Sequence, residues 1–370
     1  MRNYRFTAII DVDDVLLPCM SLACQLENEK NPEANLDPDK IKGWIKSDSP
    51  EASLLKYFND PDFYAQQIPD EAAKKFIREL SKLLEIFVVT AVPSEIMGIR
   101  IRQILEFFPE IKPENIIPAT RKDVIFADFA LDDGAHNILA SRATYPVIFR
   151  RSWNNHLTGI LAVNNYDEFI NLVRCIQKTY YVMDDDFTTP HVLAFVGGSG
   201  TGKTRITTEL LKGDKFGRAR STTTRRKRLG EADEAYNFIS EDKFNQMKAD
   251  GLFAETTIYA EEQYGTECTE IEKVLNSGKH CVAAIDINGA MAMKMKYPTA
   301  IIYIKRDKDK LIDALIERVE KGETTRHDVV RRIVSLDDEK KNEKICDYFI
   351  ENNGSIEQTI ADVYTILGLE

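Results

Sequence analysis

The eight residues Gly197-Gly-Ser-Gly-Thr-Gly-Lys-Thr204 constrain this chain more than any other segment, and they fit the pattern G-x-x-x-x-G-K-[ST]. The apolar run from His191 to Val196 before them reads as a buried strand, and Arg205 to Lys212 after them has helical composition. Strand, glycine loop and helix in that order make a phosphate cradle. Gly197, Gly198, Gly200 and Gly202, interleaved with Ser199 and Thr201, let the backbone bend until successive N–H groups point inward. The helix N-terminus adds partial positive charge. In such a loop Lys203 sits on the β- and γ-phosphates of a nucleotide and the Thr204 hydroxyl on Mg²⁺.

A chain of 370 residues has room for two domains. Net charge is −11, which argues against a protein whose main business is gripping a nucleic-acid backbone. The six cysteines are scattered, without a C-x-x-C pair or a His/Cys ligand cluster, and read as free thiols of a reducing compartment. No apolar run reaches membrane-spanning length. The start of the chain meets Asp11 after only a short apolar stretch and does not read as a signal peptide. A soluble, cytoplasmic protein is the expectation, with small-molecule nucleotides as partners.

Both halves alternate short apolar strands with helical segments, which predicts α/β folds with parallel sheets. Tyr166 to Thr179 reads as an amphipathic helix, and Asp184 to Pro190 as a polar linker ending in proline. The predicted organisation is a first domain over 1–178, a linker over 179–190 and a second domain over 191–370.

Beyond the glycine loop, Ser221-Thr-Thr-Thr-Arg225-Arg-Lys-Arg228-Leu-Gly230-Glu231 and Tyr236 suit a second anion, because the planar guanidinium fork binds phosphate oxygens two at a time. Phe253-Ala-Glu255, Tyr264-Gly265-Thr266 and Ala284-Ile-Asp286 follow. Together these resemble guanylate kinase over roughly 191–368. The resemblance implies a P-loop NTPase fold and ATP-dependent phosphorylation of GMP or dGMP. By it Arg225, Arg228, Tyr236 and Tyr264 hold the acceptor monophosphate, and Ser221, Glu255 and Thr266 read the guanine edge, with Asp286 nearby. A carboxylate such as Glu255 accepts from the N1–H and amine of guanine and would be left unpaired by adenine. Arg318, Arg331 and Arg332, around Lys321 to Asp328, are lid or hinge candidates. Three features depart from the family: Ala284 stands where the first carboxylate of an Asp-x-Asp is usual, and the arginine segment and the lid are each one residue short.

In the first half, Asp11-Val-Asp13-Asp14 ends the apolar strand Phe6–Ile10. Two carboxylates two residues apart just past a strand can converge on one Mg²⁺, or divide nucleophilic and acid–base work. Phe87 to Thr90 is a second strand ending in a hydroxyl; Lys122 follows a loop; Asp128 to Asp132-Asp133 is another strand ending in carboxylates. That order resembles the haloacid dehalogenase-like phosphatases, and more closely their 5′(3′)-deoxyribonucleotidase branch, over roughly 6–175. Ile41-Lys-Gly-Trp44, Thr90-Ala-Val-Pro93, Asn137 and Arg151-Ser-Trp-Asn154 support it. The resemblance implies a Rossmann-like domain with a small helical cap at about 17–75, Asp11 as the nucleophile, Asp13 as general acid and then base, and Thr90 and Lys122 on the phosphate. Asp11 and Asp13, with Asp132 or Asp133, would bind Mg²⁺. Asp14 stands where many relatives have glycine. Trp44, Phe63 and Tyr64 are candidates to stack on a base or to pack the core.

The expectation is a bifunctional nucleotide-metabolism enzyme using ATP and Mg²⁺. Two rivals stand beside it: a polynucleotide kinase-phosphatase, which also joins these two classes, and a guanylate kinase-like interaction scaffold. The acidic charge and the intact Gly202-Lys203-Thr204 loop respectively speak against them.

Overall fold

The computed structural model describes all residues except 1–5, 180–185, 228–234, 260–261, 321–324, 326–328, 331–332, 334–338 and 370. The chain divides into two compact units, Met1–Gln177 and Lys178–Glu370.

The first unit runs β1 (Thr7–Ile10), α1 (Met20–Lys30), α2 (Pro61–Ala65), α3 (Glu71–Leu80), β2 (Glu85–Thr90), α4 (Ser94–Phe107), β3 (Ile116–Pro118), β4 (Phe129–Asp132), α5 (Ala135–Ala140), β5 (Tyr145–Phe149), β6 (Ala162–Val163) and α6 (Tyr166–Thr179). Its six strands lie in the order β3-β2-β1-β4-β5-β6 and pair in parallel throughout. Both sheet faces are covered, so the strands are nearly unbroken apolar runs. Ile9, Val89, Ala130 and Ile148 pack with Ile138 of α5, while Phe129 meets Phe169 of α6 on the opposite face. Because β1 lies between β2 and β4, the carboxyl ends of all three open onto one crevice, where parallel α/β sheets hold ligands.

The stretch between β1 and α3 is helical, as expected, but its prolines act as openers. Pro32, Pro38 and Pro61 each occupy the first position of a helical turn, where a missing N–H costs nothing. This stretch has its own small core of Ala23, Cys24, Ile41, Leu54, Tyr57 and Phe63, packed against Val92, Ile96 and Trp153.

The second unit runs β7 (Val192–Val196), α7 (Lys203–Leu210), β8 (Phe216–Gly217), β9 (Ser221–Thr223), β10 (Asn237–Phe238), α8 (Glu241–Ala249), β11 (Phe253–Tyr259), β12 (Glu262–Glu267), α9 (Cys268–Asn276), β13 (His280–Ala284), α10 (Ile287–Lys296), β14 (Thr299–Lys305), α11 (Lys308–Glu320), β15 (Tyr348–Glu351) and α12 (Ile356–Ile366). Its main sheet is parallel, in the order β15-β14-β7-β13-β8. Phe187 already belongs to the core of this unit, with Leu193, Phe195, Ile206 and Val363, so packed chain begins ahead of Pro190.

A second sheet, β10-β9-β12-β11, departs from the all-parallel expectation: β11 and β12 form an antiparallel hairpin, and β12 pairs antiparallel with β9. Its strands are polar and half-buried, the composition of a sheet with one wet face. Among the described residues no helix is long and apolar enough to cross a membrane, and all six cysteines are free.

Candidate active sites

The parallel register of β1, β2 and β4 brings the first half's series together. Asp11 follows β1 directly and its N–H donates to Leu131 O at 3.0 Å. Carboxylate oxygens of Asp11, Asp132 and Asp133 lie within 4.8 Å of one another. Lys122 Nζ reaches Asp11 Oδ1 and Asp132 Oδ2, both at 2.7 Å. Asp132 also accepts from Gly134 N at 2.7 Å and Asn137 Nδ2 at 3.1 Å. Asp133 Oδ2 accepts from the indole of Trp153 at 2.9 Å, and Asn154 fixes the Asp133 carbonyl at 2.9 Å.

So much buried negative charge is held with difficulty. Burial and the neighbouring Asp132 push Asp11 up to about 6 against the pull of Lys122. Burial, with Asp14 and Asp132, pushes Asp133 well above the carboxylate range. Burial alone would drive the Lys122 ammonium down, but Asp11 and Asp132 override it and hold it charged. Three hard oxygen donors with excess negative charge fit a divalent cation of the Mg²⁺ class. Thr90, at the end of β2, is fully buried, and among the described residues its hydroxyl has no hydrogen-bond partner. An orphaned hydroxyl costs about 1–3 kcal/mol, which an incoming phosphate oxygen would offset.

Asp13 stands apart from the three-carboxylate cluster. Its Oδ1 is 2.5 Å from the Arg100 guanidinium, and its side chain keeps 28% exposure. Burial raises its carboxyl and Arg100 opposes the rise. Asp14 adopts φ +53°, the left-handed conformation that favours glycine. Its side chain accepts from the N–H groups of Cys19 and Met20 at 3.0 and 2.8 Å, closing the start of α1. Arg151 clamps the Asp14 carbonyl through Nε at 2.8 Å and a terminal nitrogen at 2.6 Å.

A cavity of about 380 Å³ opens on this cluster, lined by the charged Asp11, Asp13, Lys122 and Asp133 and by the apolar or aromatic Trp44, Ile45, Leu55, Phe58 and Tyr64. Of the three aromatic candidates, Phe63 is buried in the small core, Tyr64 lines the cavity, and Trp44 is 59% exposed at its rim, edge-on to His136 at 5.3 Å.

In the second unit the glycine loop joins β7 to α7. Gly197, Gly200 and Gly202 have φ of +145°, +88° and +95°. A Cβ on Gly197 would lie 2.6 Å from Ile304 O, and one on Gly202 2.5 Å from Asn352 Nδ2, so neither position admits a side chain. Thr201 Oγ1 donates to Gly198 O at 2.9 Å. The Lys203 ammonium folds onto the Gly197 and Gly198 carbonyls, and Thr204 is exposed at the first turn of α7.

The hairpin sets Glu255 directly opposite Thr266, which in turn pairs with Ser221 of β9. Thr266 Oγ1 donates to Glu255 Oε1 at 2.6 Å. Burial pushes Glu255 up to about 7, Thr266 opposes, and nearby Asp286 adds to the rise. Asp286 is engaged as the cap of α10, accepting from Gly289 N at 2.8 Å. The Arg225 guanidinium lies 5.5 Å from the Tyr236 ring centre, and Tyr236 meets Tyr264 edge-on at 6.0 Å. Arg228, Gly230, Glu231, Arg331 and Arg332 lie outside the described residues, as does the side chain of Arg318, whose backbone belongs to α11.

Three further residues escaped sequence reasoning. Arg306 donates to Gly200 O at 2.8 Å and Asn352 to Thr201 O at 2.7 Å, bracing the glycine loop from the ends of β14 and β15. Nothing in the local sequence of either marks it. Arg100 did leave a signal: with Ile96, Gln103 and Ile104 it falls on the buried stripe of α4, a charge where periodicity calls for an apolar residue.

Residues 189–370 match the family model described as guanylate kinase. Residues 5–179 match that described as 5′ nucleotidase, deoxy (pyrimidine), cytosolic type C protein. A guanylate kinase of Helicobacter pylori (strain J99) is 33% identical over 174 residues, covering 46% of this chain and 82% of its own. One from Chlamydia trachomatis serovar D is 39% identical over 119 residues, covering 31% of this chain; the match spans 58% of the relative's length. The crystal structure of guanylate kinase from Anaplasma phagocytophilum shares 22% identity at a TM-score of 0.38, covering 49% of this chain and 86% of that one.

Proposed function

The chain belongs, through its second half, to the guanylate kinase family, and from that premise we propose a two-activity nucleotide enzyme. The second unit moves the γ-phosphoryl group of ATP to GMP or dGMP. The first hydrolyses a (deoxy)nucleoside monophosphate. The observation that carries the reading is that each half gathers its own series: Asp11, Lys122 and Asp133 on one cavity, and Glu255, Thr266 and Ser221 on one set of paired strands.

In the first unit, Val12 N and Lys122 occupy Asp11 Oδ1, leaving the other oxygen to attack phosphorus. Asp13 protonates the departing ester oxygen and then takes a proton from the water that releases phosphate from Asp11. Lys122 and the orphaned Thr90 hydroxyl hold the phosphoryl oxygens. Mg²⁺, when bound, screens the nucleophile from the charge it attacks. Asp11, Asp132 and Asp133 would hold it, and Asp132, bonded to Lys122, also orients the lysine.

In the second unit, Lys203 exchanges its two loop carbonyls for phosphate oxygens, and Thr204 faces the same place. Arg225, Tyr236 and Tyr264 receive the acceptor phosphate, joined by Arg228. Glu255 and Thr266 read the guanine edge, with Ser221 and Asp286 alongside. Catalysis here is positioning and charge neutralisation, completed by arginines such as Arg318 and Arg332.

The test is a panel of ribo- and deoxynucleoside monophosphates, with and without ATP and Mg²⁺, together with a 5′-hydroxyl, 3′-phosphate oligonucleotide. ADP formation with GMP or dGMP and phosphate release from a nucleotide support the reading. Turnover of the oligonucleotide alone overturns it.

A further inference from the structure

We propose that Arg100 is a positioning residue for proton transfer by Asp13: by holding one carboxylate oxygen it commits the proton to the other and aims that oxygen into the cavity. The inference rests on the phosphatase reading of the first unit and assigns a role to a side chain outside its motif series.

Arg100 is fully buried in α4. One terminal nitrogen lies 2.5 Å from Asp13 Oδ1. The other lies 3.4 Å from Gln103 Oε1, and the guanidinium carbon sits 5.0 Å from the Tyr64 ring centre. Gln103 in turn donates to Tyr64 O at 2.5 Å and Gln67 O at 3.2 Å. The guanidinium is thus fixed by its own helix, by α2 and by the turn that follows α2. Among the described residues its Nε has no partner. Folding does not call for such an arrangement, since replacing a buried ion pair by apolar side chains is often neutral or stabilising.

A guanidinium has donors only. The Asp13 oxygen that accepts from it therefore cannot also carry the proton toward it, and the proton resides on Oδ2. This is the logic by which a carboxylate fixes the tautomer of a catalytic histidine, applied here to a carboxyl group. As an Asp11 oxygen bonds to phosphorus, the P–O ester bond breaks, its electron pair stays on the ester oxygen, and that oxygen takes the proton from Asp13 Oδ2. Water then bonds to phosphorus and gives a proton to Oδ2, and the P–O bond to Asp11 breaks to restore its carboxylate. Both transfers use the same oxygen, so one fixed orientation serves the whole cycle.

Leaving-group dependence separates this role from a structural one. The full chain and its Arg100→Met, Arg100→Lys and Asp13→Asn variants are assayed on a deoxynucleoside 5′-monophosphate, whose alkoxide needs a proton to leave, and on p-nitrophenyl phosphate, whose phenolate does not. Arg100→Met is expected to lower kcat on the nucleotide roughly 10²-fold with KM little changed, and on the aryl ester by less than about tenfold. Asp13→Asn shows the same pattern more strongly and Arg100→Lys more weakly. Equal losses on both esters, or no loss on either, overturn the proposal while leaving the phosphatase reading intact. If the unmodified chain cleaves neither ester, the phosphatase reading fails and this inference with it. Thermal melts by circular dichroism check folding, and if Arg100→Met does not fold, the Arg100→Lys ratio decides.

Discussion

The first unit assembles its candidate phosphate site from side-chain charge, and the second assembles its own from backbone. Around Asp11 there are three clustered carboxylates and a buried lysine that bridges two of them. Around the glycine loop the chain bends through positive φ at Gly197, Gly200 and Gly202, and Lys203 rests on loop carbonyls. A site of charges stores electrostatic tension and fails when one charge is removed. A site of backbone stores conformational tension and fails when a side chain is added.

Substitutions in each unit test that contrast. Asp11→Asn removes the proposed nucleophile and should lower phosphate release on the order of 10⁴-fold or more, while ADP formation in the same sample is preserved. Lys203→Ala should do the reverse, lowering ADP formation roughly 10³-fold with phosphate release intact. Loss of both activities from either change would end the separation of the two sites.

A smaller effect tests Glu255, the carboxylate proposed to read the guanine edge. Glu255 has a folded-state pKa of about 7, above its ordinary 4.5. Folding therefore favours its protonated form. That contribution to stability is complete below pH 4.5 and is lost as pH rises through 7. Guanine needs the ionised form, so KM for GMP should fall about tenfold between pH 6 and pH 8. Glu255→Gln should flatten both the melting profile and the KM profile over that range. A KM that stays level in the unmodified chain would remove Glu255 from base recognition.

The backbone side of the contrast is read as stability rather than turnover. Gly197→Ala places a Cβ 2.6 Å from Ile304 O at φ +145° and should destabilise the second unit by about 1–3 kcal/mol, read from denaturant melts.

Legibility in the sequence divides along the same line. Strands β1, β2 and β4 announce themselves as short apolar runs leading to a reactive residue, and β7 as one leading to the local glycine loop, so both were readable. The antiparallel hairpin β11–β12 was not, because its half-buried polar strands have no strong period; the pairing of Glu255 with Thr266 depends on that register alone. Arg306 and Asn352 act on the loop from about 106 and 151 residues away along the chain, a distance over which a single sequence carries no pattern. Arg100 is the intermediate case: its position on α4 was anomalous and readable, but its partner Asp13, 87 residues earlier, was not.

The bridge made by Lys122 has a practical corollary. With Lys122 tethered between Asp11 and Asp132, the first unit is expected to stay folded without dissolved metal. Dialysis against a chelator should therefore yield an idle but intact first unit, ready to be recharged, and preparations stripped in this way are the natural starting material for measuring which cation it prefers.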